Sequence, residues 1–250
     1  MEKENLYNQI LEEAKNDDNI IGLFLKGSRG KGFENGKSDY DIKIIVKDEV
    51  AEEYKTKYSN IDNPDIDLSV QSLSEFREYA EWGTDFAWDR YDFARVKAII
   101  DKTGEIQNLI DSKGTIPEDE WKKFTGERID DYLNGVFRSV KCIRSGNLLG
   151  AHIESASSIP NLIITLFALH KRLAPFYGYL PKELEVAPLE KLPISNKELL
   201  DKISKVLKNA DLETQQELLK MVEELAIKEG FGKVFDSWKG KDKWAMEFHP

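Results

Sequence analysis

Apolar residues recur along this chain at two spacings, and the change from one to the other divides it. In residues 6–14, Tyr7, Ile10, Leu11 and Ala14 stand three and four apart, the spacing of one helix face, and Asn16-Asp17-Asp18-Asn19 ends that helix. Residues 20–25 are an apolar run of the length of a buried strand. Over residues 40–46 the spacing becomes two: Tyr40, Ile42, Ile44 and Val46 alternate with other positions, which predicts a second strand. A third strand is predicted at 65–71, where Ile66, Leu68 and Val70 face one way. Ser72-Leu73-Ser74-Glu75-Phe76 reads as a capped helix start. Residues 95–100 read as a further strand, closed by a turn at Asp101-Lys102-Thr103-Gly104.

After Gly114-Thr115-Ile116-Pro117 the spacing is helical throughout. Ile129, Leu133, Val136, Val140 and Ile143 predict one long amphipathic helix that stops at Ser145-Gly146-Asn147. A second helical stretch is predicted over 148–173, with a kink or restart near Pro160. Residues 196–207 and 212–227 supply two more helices. The predicted fold class is therefore α+β: a domain over 1–117 with a small mixed sheet, then a helical bundle over 118–250. No internal repeat or low-complexity segment stands out, and the tail from Phe231, rich in lysine and aromatics, carries no clear signal.

Composition narrows the partners. The 250 residues are 40% hydrophobic and 33% charged, an ordinary globular balance. No apolar run approaches the roughly 20 residues of a membrane span. Met1-Glu2-Lys3-Glu4-Asn5 lacks the apolar core of a secretory signal, and the single cysteine, Cys142, rules out an intrachain disulfide. A cytoplasmic protein without a membrane partner is the expectation. The formal net charge of −10 would repel a phosphate backbone, so no nucleic-acid partner is expected, and it would attract a cationic small molecule. Solubility alone explains that charge equally well.

Candidate chemistry is concentrated in Leu25-Lys26-Gly27-Ser28-Arg29-Gly30-Lys31-Gly32 and Ser38-Asp39-Tyr40-Asp41-Ile42-Lys43-Ile44. On a strand Asp39 and Asp41 project to the same side, about 7 Å apart. Two carboxylates so placed repel unless a cation lies between them, and oxygen ligands on a rigid strand suit Mg²⁺. If the third strand lies beside the second, Asp67 completes a three-carboxylate cluster able to hold two metals roughly 4 Å apart. Asp67 has apolar neighbours on both sides, whereas Asp65 follows Pro64 at the strand's entrance; Asp67 is preferred. Gly27 permits close approach of a phosphate, and Ser28 with the following N–H groups can donate to it. Arg29 and Lys31 are candidate phosphate contacts, equally readable as solvated loop charges.

Two other phosphate motifs fail. A P-loop needs a glycine five positions before Gly36-Lys37-Ser38, where Lys31 stands, and a strand pattern follows instead of a helix. The spacing of Gly27, Gly30 and Gly32 does not match a dinucleotide-binding fingerprint.

Gly-Ser, a spacer over residues 29–38, Asp-x-Asp on a strand and a later strand aspartate together resemble the DNA polymerase β-like nucleotidyltransferase superfamily. The resemblance covers roughly the first hundred residues. A helical second domain is similar to the architecture of aminoglycoside and lincosamide nucleotidyltransferases. The resemblance implies a metal-dependent transferase moving AMP from ATP onto a small-molecule hydroxyl. Gly27 and Ser28 would hold the triphosphate, and Asp39, Asp41 and Asp67 would bind two Mg²⁺. Some members add a base from the helical domain, for which Glu154 in His152-Ile153-Glu154-Ser155 is the candidate. An aminoglycoside is the leading acceptor, with a lincosamide or a protein side chain as alternatives. A non-catalytic NTP-binding or toxin–antitoxin-type module is the reading from another class. The sequence is silent on nucleobase preference and oligomeric state.

Overall fold

The structure, a computed structural model, describes residues 3–249. The chain separates into two compact units, Met1–Thr115 and Ile116–Pro250. The first is α+β, with a four-stranded mixed sheet; the second is helical.

The first unit begins with α1 (Lys3–Asn16), β1 (Ile20–Leu25), the single turn α2 (Gly27–Gly30) and β2 (Tyr40–Val46). Next come α3 (Ala51–Tyr58), β3 (Ile66–Ser72), α4 (Leu73–Glu78), β4 (Ala98–Asp101) and α5 (Ile106–Lys113). The strand order is β3-β2-β1-β4. β1 pairs antiparallel with both β2 and β4, while β2 and β3 run parallel in unbroken register from Tyr40↔Ile66 to Val46↔Ser72. β1 is apolar on both faces because both are covered. On one side Leu23, Ile42, Ile44, Val46 and Ile66 meet Ile10 and Ala14 of α1 and Tyr54 and Tyr58 of α3. On the other, Phe24 and Ile45 meet Phe76, Phe93, Ile106 and Ile110.

β1 and β2 have the predicted limits, and β3 begins one residue later than predicted. Ser72 caps α4 through a reciprocal capping box with Glu75. The strand expected over 95–100 is confined to Ala98–Asp101, because Arg95 takes a left-handed backbone conformation (φ 63°) that an extended strand excludes. Asp101 then accepts hydrogen bonds from the N–H groups of Gly104 and Gln107, which closes the turn into α5.

The second unit opens with a hairpin of long helices, α6 (Glu118–Arg144) and α7 (Leu148–Leu169). A Cβ added at Gly135 would come within 2.9 Å of Ser158 Cβ, so the glycine is what lets the two backbones approach. Trp121 Nε1 donates to Ala168 O at 2.7 Å and Thr165 Oγ1 to Arg128 O at 2.8 Å, fixing the register of the pair. α7 passes through Pro160 without the expected restart and ends at Leu169, short of 173, where Lys171 turns left-handed (φ 56°). There follow α8 (Leu180–Val186), α9 (Asn196–Asn209), α10 (Leu212–Lys228), α11 (Gly232–Asp236) and α12 (Lys241–Met246). The tail is tied back by Gln216 Nε2, which donates to Met246 O and Phe248 O, and by Trp238 Nε1, which donates to Asp130. Among the described residues no helix is long and apolar enough to cross a membrane.

Candidate active site

Alternation along β2 puts Asp41 and Lys43 on the face opposite Ile42 and Ile44, together with Ile45 of the second core. Because β2 and β3 are parallel and in register, Asp41 stands directly beside Asp67, and Lys43 beside Ser69. Asp39 lies just before β2. Its carbonyl oxygen accepts from Arg29 Nε at 2.8 Å, and that of Ser38 from Arg29 Nη2 at 3.1 Å; the guanidinium also stacks 3.7 Å from the Tyr40 ring. Arg29 therefore anchors the spacer loop and with it the position of Asp39. Asp39 and Asp67 are exposed and Asp41 is half-buried between them.

Gly27 closes the site on the β1 side. Lys26 N donates to Asp41 O at 2.8 Å, after which the chain turns at Gly27 with φ +56°. Any Cβ there would overlap Asp41 Oδ2. Glycine is required both by the backbone conformation and by the carboxylate against it. Ser28 lies in the one-turn helix that follows. Lys31 is elsewhere: its buried ammonium donates to the carbonyls of Tyr91 and Ala94 at 2.7 and 3.0 Å, latching the 91–94 segment to the glycine-rich loop.

Next to Asp41 lies an ion network that the sequence pattern did not reveal. Lys26 Nζ pairs with Asp92 Oδ2 at 2.9 Å and Asp89 Oδ2 at 3.1 Å, and Tyr79 donates its hydroxyl to the same Asp89 oxygen at 2.6 Å. Asp89 and Asp92 come from the buried 3-10 segment Ala87–Phe93. Burial disfavours the Lys26 charge, but the Asp92 and Asp89 charges outweigh that and hold its pKa above the ordinary lysine value. The Asp41 carboxyl is pushed up to about 6, by burial first and then by the charges of Asp39, Asp67 and Asp92, with Lys26 opposing. Lys43 is pulled down to about 8, by burial first and then by Lys26, against the charges of Asp89, Asp67 and Asp92. The alternation that located Asp41 could have located Lys43. Nothing in the local sequence could have located Asp89 and Asp92, which reach the site only through the tertiary path of their segment.

The donor set suits a hard divalent cation: carboxylate oxygens crowded so that one of them is reluctant to ionise, and a buried Asp92 Oδ1 with no hydrogen-bond partner among the described residues. It is not a finished cage, because among the described residues no three His, Cys, Asp or Glu side chains are gathered as metal ligands. Glu154 belongs to the second unit, where it accepts from Arg138 Nη2 at 2.6 Å in an ion pair between α6 and α7.

No protein-family model and no curated protein sequence matches the chain. Among solved structures the chain is similar to a nucleotidyltransferase-like protein from Exiguobacterium sibiricum 255-15. The identity is 12%, 95% of this chain and 79% of that chain are covered, and the TM-score is 0.42. Similarity at that level decides neither fold nor activity.

Proposed function

We propose that the chain is a metal-dependent nucleotidyltransferase that moves a nucleoside monophosphate, AMP from ATP, onto a hydroxyl group of a small molecule. One observation carries the reading: Asp41 and Asp67 stand side by side on parallel strands, against a left-handed glycine that leaves no room for any side chain. Asp39, Asp41 and Asp67 would hold the metal, and the residues of the Gly27-Ser28 turn would receive the triphosphate. A divalent cation bound there supplies charge neutralisation of the triphosphate and a more acidic acceptor hydroxyl.

The chain's own residues divide the remaining work. Gly27 allows the phosphates to approach the backbone, and the Ser28 hydroxyl donates to them. Arg29 keeps Asp39 in place through the carbonyls of Ser38 and Asp39. The acceptor oxygen forms a bond to the α-phosphorus, the bond from that phosphorus to the bridging oxygen of pyrophosphate breaks, and the hydroxyl proton passes to a base, for which Glu154 is the candidate. A polyhydroxylated, cationic acceptor of the aminoglycoside type suits the acidic chain, whose formal net charge is −10.

A second reading is NTP binding without transfer. It needs the Gly27-Ser28 turn but not a third carboxylate at Asp67. Pyrophosphate release separates the two readings. The purified chain is incubated with Mg²⁺, each NTP and a panel of aminoglycosides and lincosamides. Acceptor-dependent release that disappears in Asp41→Asn is the expected result. Nucleotide binding without release under any acceptor would leave the second reading in place.

A further inference from the structure

Lys43 is anomalous. It is only 5% exposed, on the same face of β2 as Asp41 and one step deeper into the sheet. Lys26, the other lysine of the site, is matched by two carboxylates. Among the described residues Lys43 makes no ion pair and no hydrogen bond; its Nζ lies over the face of the Tyr79 ring, 5.3 Å from the ring centroid. An ammonium partly withdrawn from water without a carboxylate is costly, and a ring face recovers only part of that cost. At longer range the charge of Lys26 acts on it first, opposed by those of Asp89, Asp67 and Asp92.

We propose that Lys43 is the resident counter-charge of the Asp41 and Asp67 carboxylates, which Lys26 does not pair with, and that it keeps them from holding a divalent cation until nucleotide phosphates arrive with one. This rests on the reading of Asp39, Asp41 and Asp67 as metal ligands. The physical argument is Coulombic. A fixed ammonium on the same strand face as Asp41, two residues along, raises the free energy of any second cation there, and it does so more strongly in a partly desolvated site. A triphosphate reverses the balance, since its negative charge is attracted by both Lys43 and the metal. Mg²⁺ sites made of one or two carboxylates plus substrate phosphates have this character. Such a site has no preassembled cage, which agrees with the absence of one among the described residues. Lys43 acts through the aspartates and is a positioning residue, not a catalytic one.

The test is Mn²⁺ binding to the full chain, followed by the electron paramagnetic resonance signal of free Mn²⁺, with and without a non-hydrolysable ATP analogue. Wild type is expected to bind Mn²⁺ weakly alone and at least about tenfold more tightly with the analogue. Lys43→Met is expected to bind Mn²⁺ alone at least about tenfold more tightly than wild type, and to gain less from the analogue. Lys43→Arg, which keeps the charge, is expected to behave as wild type, a result that loss of packing alone would not produce. Lys43→Gln serves as the charge-free variant if the methionine does not fold. Charge-free variants that bind Mn²⁺ no more tightly than wild type would overturn the proposal while leaving the aspartates as ligands. Mn²⁺ binding unchanged by Asp41→Asn, in wild type and in the Lys43 variants alike, would overturn the metal site itself.

Discussion

The two faces of the central sheet are built from the same strands and have opposite characters. Toward α1 and α3, β2 presents Tyr40, Ile42, Ile44 and Val46, apolar from end to end. On the other face, β2 presents Asp41, Lys43 and Ile45 in turn, passing from chemistry to core within one strand. The comparison shows how a rigid acidic site is made: the ladder that holds the carboxylates is pinned from behind by a dry apolar layer. The charged end stays in place although its own contacts oppose it.

The largest expected effect is on turnover. Asp41→Asn should lower pyrophosphate release at least about a thousandfold, the scale of a lost metal ligand, while the circular dichroism spectrum stays native. A variant that keeps a tenth of wild-type release would remove the catalytic half of the comparison. On the apolar face, Ile44→Ala should cost about 2–5 kcal/mol in urea unfolding and leave the KM for nucleotide unchanged while the protein is folded. A cost below about 1 kcal/mol would show that the layer behind the site is not tightly packed.

A smaller effect sharpens the charged face. The folded Asp41 pKa of about 6 lies above the ordinary carboxyl value of 3.8. Below pH 3.8 the group is protonated in both states and contributes nothing. Above pH 6 it is charged in both, and the folded state bears the full unfavourable interaction. In metal-free protein Asp41→Asn should therefore stabilise the fold at pH 8 by about 1–2 kcal/mol, after allowance for solvent access, with the gain vanishing as pH falls through 6 toward 4. Equal urea midpoints for wild type and variant at pH 8 would mean that the carboxylates are not crowded. The smallest expected change in stability is for Glu154→Gln, under about 1 kcal/mol, because its Arg138 partner is exposed. A hundredfold fall in kcat with unaltered nucleotide KM would retain Glu154 as the base.

Local pattern carried much of this molecule. Period two marked β2 and the facing of Asp41, the helical period marked α6, α9 and α10, and Ser72 with Glu75 marked the start of α4. Short elements were not legible: α3, α5 and α8 are each too brief for a periodic signal to rise above the composition of a loop. The limits of β4 depended on the left-handed turn at Arg95, which nothing in the residue type announces.

Within the site the division is sharper. Local sequence was enough to place Asp41, after a glycine-serine turn, on the strand face away from Ile42 and Ile44, with Asp39 just before the strand, because alternation along a strand is a property of the backbone alone. It could state only as a condition that Asp67 would join them, since pairing between strands far apart in sequence is chosen by burial of both apolar faces. The parallel β2–β3 register met that condition. Tertiary structure alone decided that Lys26 would be held by Asp89 and Asp92, that Lys31 would be spent on the carbonyls of residues 91 and 94, and that Lys43 would be buried without a carboxylate. The reason is range. A side chain's facing is set by the dihedral angles of its own residue and its neighbours, but the partner of a charge is set by every segment that packs within a few ångströms of it.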